Sequence, residues 1–163
     1  MTGVVGCGDE DAAPAPAARS SRDVVASVND GDTLRLTDGR RVRLVQIDAP
    51  ELETECYGRA ARRALIRLAP PGTRVTLERD PALDAVDRYG RILSYVLVDG
   101  RNVNLQLVAE GAAEPYFFHG DRGRLASAFL AAAVGARARR VGLWRSCPNA
   151  RLTPVSGADT GPA

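Results

Sequence analysis

Five short stretches rich in apolar and β-branched residues, 23–29, 33–37, 41–47, 74–79 and 92–98, predict five β-strands, with a clear period-two alternation at the start of the third. Turn chemistry separates them at Asn29-Asp30-Gly31, Asp38-Gly39 and Asp99-Gly100. Three stretches carry helical spacing instead, 58–68, 103–110 and 122–140. In the first helix Ala61, Leu65 and Leu68 share one face with Ala64 between them, and Arg59, Arg62, Arg63 and Arg67 cover the rest. In the last, Leu125, Phe129, Leu130 and Val134 form the expected apolar stripe, and Arg137, Arg139 and Arg140 sit near its negative C-terminal end. The reading is an α+β domain, a five-stranded barrel with about three helices.

The ends follow a different pattern. Residues 9–21 form a polar Ala/Pro linker, and 149–163 are rich in Pro, Gly and Thr, so neither presents a periodic apolar face. The expected organisation is a remnant of a signal and a linker over 1–21, a folded domain over 22–148 and a disordered tail over 149–163. Val4-Val5-Gly6-Cys7 ahead of a polar linker resembles the end of a bacterial lipoprotein signal, with Cys7 as the lipidated residue. Only a few residues precede Cys7, against about 15 to 30 for a signal peptide, so the expectation is that the natural start lies upstream. The protein is then extracellular or held at the cell surface, with a membrane touched only through a lipid on Cys7; without such a signal it is cytoplasmic. No internal repeat and no apolar run long enough to span a membrane occurs.

The candidate chemistry lies in three strings: Asp30-Gly31-Asp32-Thr33, Arg43 through Asp48-Ala49-Pro50-Glu51, and Asp87-Arg88-Tyr89-Gly90-Arg91. Each alone also reads as ordinary turn or helix-start chemistry, Gly31 supplying a positive φ and Pro50-Glu51 a first helical turn. Together they set carboxylates from separate segments, suited to a hard cation, beside arginines suited to the oxygens of a phosphoryl group. In this order and spacing the strings resemble the staphylococcal nuclease (thermonuclease) family over about residues 24–144. A meander of three strands, a helix, two strands and two helices is also the order of an OB-fold barrel with helical additions, and the resemblance implies that fold.

The resemblance implies a calcium-dependent hydrolase of phosphodiester bonds in DNA and/or RNA, acting as a monomer. Asp32 and Asp48 match the family's calcium-binding aspartates, and Ala49 stands at the position that lends a backbone carbonyl, where threonine is common. Asp30 is a candidate to orient the water around the ion. Glu51 matches the glutamate that activates the attacking water, and Arg43 and Arg91 match the two arginines on the scissile phosphate. Arg88 and Tyr89 match a Lys-Tyr pair that holds the neighbouring phosphate. A second substrate tyrosine is assigned to Tyr116, although a constant offset lands on Phe117; the only histidine, His119, reads as a solvated loop residue. A barrel that binds nucleic acid without cleaving it, or a calcium-stabilised surface interaction domain, is the alternative.

Two further features adjust the picture. With Cys7 lipidated, Cys56 and Cys147 remain to pair, and a disulfide there would point to an oxidising compartment. The formal net charge is only +2 and every basic residue is arginine, a weak bias toward an acidic polymer. Strict alternation places Arg43 and Asp48 on opposite faces of one strand, which predicts a bulge or strand end between Val45 and Ile47.

Overall fold

The computed structural model describes residues 23–162. Strands β1 (Val25–Val28), β2 (Thr33–Leu36) and β3 (Arg41–Leu44) form an antiparallel meander, with Leu34 opposite Val42 and Thr33 opposite Arg43. After β4 (Ile47–Asp48) and helix α1 (Gly58–Leu68) come β5 (Thr76–Glu78) and the long β6 (Ile92–Val98). Strand β6 runs parallel to β3 and antiparallel to β5, so the strand order is β1-β2-β3-β6-β5. The order returns on itself. Val25 N–H donates to Thr73 O at 2.9 Å and Val75 N–H to Asp23 O at 2.8 Å, and Val24 pairs with Arg74, joining β1 to the chain entering β5. This is the five-stranded OB-fold barrel expected from the strand order.

The barrel interior is filled by the inward positions of the alternating strands. Leu34, Leu36, Val42, Leu44 and Val96 are buried there, Leu65 of α1 closes one side, and Tyr95, on the opposite face of β6, is buried against Phe129 of α3. A short β7 (Arg101–Asn102) leads into α2 (Val103–Ala109), whose start is capped by the Asn102 side chain accepting from Leu105 N–H. Then follow β8 (Glu114–Pro115), a 3₁₀ turn (Phe118–Gly120), α3 (Ala126–Ala138) and the single-turn α4 (Leu143–Ser146). Helix α2 lies between α3 and β6.

Three expectations are corrected. Helix α3 starts at Ala126, and its buried face is Ala126, Phe129, Ala133 and Ala136. Val134, placed in the apolar stripe from sequence, is 59% exposed. Alanines on this face let α2 approach closely, and an alanine-rich helix offers more than one passable face to a reader of the sequence alone. The tail expected at 149–163 is instead packed against the domain through residues 153–161. Phe117 N–H donates to Pro154 O, Cys56 N–H donates to Gly161 O, and Gly157 and Thr160 are buried. Its backbone groups find partners on the domain, which its composition does not reveal. Gly31 has no positive φ; a Cβ there would lie 2.5 Å from the Ala49 Cβ and 2.8 Å from that of Ala61, so glycine permits close approach between the turn, the Ala49 loop and α1. Cys7 and the rest of the 1–21 segment lie outside the described residues.

Candidate active site

The strand carrying the second string breaks after Leu44. Gln46 takes a φ of 62°, and the chain resumes as β4, paired with β8 so that Asp48 stands opposite Glu114. The break shifts the alternation, and Arg43 and Asp48 meet: Arg43 Nη2 lies 2.6 Å from Asp48 Oδ1. A strand end leaves backbone groups to satisfy. Here the buried Asn104 of α2 supplies them, accepting from Val96 N–H and donating to Val45 O and Ser94 O.

Asp32 enters from the turn before β2. Its backbone N–H donates to Asp30 Oδ1, and its carboxylate accepts from Ala49 N–H at 2.9 Å and from the Thr33 hydroxyl at 3.0 Å. Arg43 Nε stands 3.0 Å from the same carboxylate. One guanidinium therefore bridges the two aspartates. Burial pushes the Asp32 acid up to about 7; Arg43 pulls it down, and Asp30 and Asp48 push it further up.

Arg43 is heavily committed. Its Nη1 donates to both Leu44 O and Ile47 O, and its Nη2 to Asp48. Of five guanidinium N–H groups, the second Nη2 proton is the one left for a phosphate. Arg91 differs. Its Nε donates to Asp87 at 2.7 Å and one Nη1 proton approaches the Thr33 hydroxyl at 3.4 Å, which leaves the whole of Nη2. Asp87 also accepts from the N–H groups of Tyr89 and Arg91, so this turn is built around its carboxylate. Burial acts to raise the Asp87 acid, but the hydrogen bonds from Arg91 and Tyr89 and the Arg91 charge hold it below its ordinary value.

Glu51 is exposed, and its carboxylate makes no hydrogen bond or ion pair among the described residues. Its backbone is held tightly: Glu51 N–H donates to Glu55, and a Cβ on Gly58 would lie 2.2 Å from Glu51 O, so the first residue of α1 must be glycine for the helix to abut this loop. Cys56 and Cys147 form a disulfide with a Cα separation of 5.9 Å, tying the same loop to the end of α4.

These side chains line two adjoining cavities. The smaller, about 160 Å³, is bounded by Asp30, Asp32, Arg43, Asp48, Ala49, Pro50, Glu51 and Arg91. The larger, about 450 Å³, shares Arg43 and Arg91 and extends past Arg88, Tyr89 and Tyr116. Tyr89 is exposed, with the Arg88 and Arg91 guanidinium groups 4.8 Å and 5.4 Å from its ring centre. Tyr116 lines this cavity while Phe117 is buried in the core, so residue 117 is not the substrate-facing position that a constant offset suggests. His119 is exposed and stacks on Phe118.

Sequence reasoning passed over three residues here. Phe118, 55% exposed, forms part of the larger cavity wall. Glu114 is fully buried opposite Asp48, its carboxylate oxygens have no hydrogen-bond partner among the described residues, and burial pushes its acid up to about 8. Asn104 holds the strand break. An acid and an amide inside an apolar run are the only signals that mark the latter two beforehand.

Residues 41–146 match the family model described as staphylococcal nuclease homologue. The chain is 40% identical to Protein ParB of Escherichia coli over 142 residues, 79% of this chain and 75% of that protein. It is 32% identical to Endonuclease YhcR of Bacillus subtilis over 83% of its own length but only 12% of that longer protein. Against Thermonuclease of Staphylococcus intermedius it is 35% identical over 63% of this chain and 68% of that one. The family match, which runs from β3 to α4 and takes in every residue lining the two cavities except Asp30 and Asp32, and the endonuclease relatives together make this chain a member of the staphylococcal nuclease family.

Proposed function

We propose that this nuclease-family chain is a calcium-dependent phosphodiesterase acting on DNA and/or RNA, with Asp32, Asp48 and the Ala49 carbonyl holding the ion. What supports this most is that one small cavity is lined by acids from two separate loops and by both arginines, and opens into a larger one walled by tyrosines. The donor set suits the ion: carboxylate and carbonyl oxygens are hard ligands, with no thiolate or imidazole among the residues lining the cavity. Asp32, Asp48, Asp30 and Glu51 outnumber the two arginines there, leaving negative charge for a divalent cation to offset. When bound, calcium would supply Lewis-acid polarisation of a phosphoryl oxygen.

The chain's own residues divide the remaining work. Glu51, with an uncommitted carboxylate, takes a proton from the attacking water as its oxygen bonds phosphorus and the ester P–O bond breaks, the departing alkoxide taking its proton from solvent. Arg91, with its free Nη2, donates to the equatorial oxygens as negative charge gathers on them, and Arg43 adds its one remaining proton. Arg88, Tyr89 and Tyr116 hold the adjoining nucleotide, and Asp30 orients water near the ion. The Cys56–Cys147 disulfide supports an extracellular or cell-surface location.

Digestion of denatured DNA and of RNA with calcium, with chelator, and by Glu51→Gln tests the reading. Cleavage is expected only by the wild type with calcium. Intact substrate under that condition, with binding retained, selects a noncatalytic barrel instead.

A further inference from the structure

The C-terminal segment reaches the proposed metal ligand from behind. After α4 the chain turns back along β8, where Pro154 O accepts from Phe117 N–H. It then passes Asp48. Ala158 N–H donates to Asp48 Oδ2 at 2.8 Å, while Asp48 Oδ1 is held by Arg43 at 2.6 Å. Gly157 has a φ of 87°, and a Cβ there would lie 2.6 Å from the same Oδ2. The segment is latched at its end, Thr160 donating to Cys56 O and Cys56 N–H to Gly161 O, beside the disulfide whose other half, Cys147, begins it. No residue of 153–162 lines either cavity. The segment therefore grips one side of the carboxylate without covering the site.

We propose that residues 153–162 act as a positioning strap for the metal ligand Asp48, with the Ala158 N–H and Arg43 fixing the carboxylate from two sides. The inference rests on the calcium reading above. A carboxylate on a two-residue strand has rotational freedom that an ion must remove on binding, and a backbone donor that removes it beforehand raises affinity. Glycine at 157 is the residue that lets the backbone come this close, since a side chain would meet Oδ2 and the φ is unfavourable for one.

The test is calcium binding by titration calorimetry on chelator-treated full-length protein, with the thermal midpoint measured alongside. Ala158→Pro, which removes the donor, and Gly157→Ala, which crowds Oδ2, are expected to weaken calcium binding about tenfold; the midpoint is little changed in the first and lowered in the second by a side chain at positive φ. Ala158→Gly keeps the N–H and is expected to bind as the wild type does. Val155→Ser, on the exposed side of the same strap, is a control expected to change neither value. If the wild type binds calcium and both Ala158→Pro and Gly157→Ala bind it equally well, the strap does not position Asp48. Equal losses of affinity and midpoint in all four variants would make the segment merely structural and overturn the inference too. A wild type that takes up no calcium overturns the metal reading and this inference with it.

Discussion

Asp32 and Asp80 are both nearly closed to solvent, 6% and 7% exposed, but Asp32 lies deeper in the protein, and their acids move in opposite directions. Burial raises both. At Asp80 it is outweighed by hydrogen bonds from Arg124 N–H, Ala82 N–H and the Tyr95 hydroxyl and by the Arg124 charge, so that carboxyl lies below its ordinary value. Asp32 has one backbone donor to its carboxylate, the Thr33 hydroxyl and one shared guanidinium, and it faces Asp30 and Asp48. Asp80 is an anion whose needs the fold meets. Asp32 is an acid whose burial outweighs what Arg43 and its donors return, with the like charges of Asp30 and Asp48 adding to the cost. In the first case a buried acid joins loops together, pinning 80–83 and 123–124 to the Tyr95 of β6; in the second it lies in the cavity proposed above to take calcium.

The comparison breaks most visibly at Asp32. Asp32→Asn is expected to lower calcium-dependent cleavage by about 10³-fold or more, while the thermal midpoint in chelator holds or rises, because like-charge repulsion is relieved. A large fall in midpoint instead would make Asp32 a structural acid like Asp80. Asp80→Asn is expected to do the reverse, costing about 2 to 4 kcal/mol by denaturant titration, since three donors converge on that carboxylate.

Titration sharpens the same contrast. With its folded pKa depressed below the ordinary 3.8, ionised Asp80 contributes stability that is present above that value and lost as pH falls through the folded pKa. The stability gap between the wild type and Asp80→Asn should stay constant from neutral pH down to about 4 and close below it. A gap that instead changes between pH 6 and 8 would show another group in control.

Smaller changes act on single donors. Gly31→Ala forces a Cβ against Ala49, whose N–H is the backbone donor to the Asp32 carboxylate; a cost of about 1 to 3 kcal/mol is expected, with weaker calcium binding by calorimetry. Tyr95→Phe takes one of three donors from Asp80 and is expected to cost about 1 kcal/mol in stability with cleavage little altered.

The two aspartates were not equally legible. Asp32 stands in a string whose neighbours announce it, and Arg43, Asp48, Glu51 and Arg91 were readable for the same reason. The parity conflict between Arg43 and Asp48 even forecast the strand break, since alternation is a local rule. Asp80 was passed over after a predicted strand, because only its Ala82 donor is local and the other two come from 15 and 44 residues away. Glu114 and Asn104 went unread likewise, and Val134 was misplaced because propensity does not say which face of an alanine-rich helix meets a neighbour.

What the sequence by itself determined is local: the strand and helix periods, the order of the barrel and the identities of the acids and arginines, all properties of residues a few positions apart. Tertiary structure alone decided what those groups face. It spent most of the hydrogen-bonding capacity of Arg43 on its own loop and left that of Arg91 open, and it turned a Pro/Gly-rich end into a strap behind Asp48. Such outcomes depend on backbone donors and acceptors, which every residue carries alike, so composition cannot distinguish a segment that finds partners on the fold from one that stays in water.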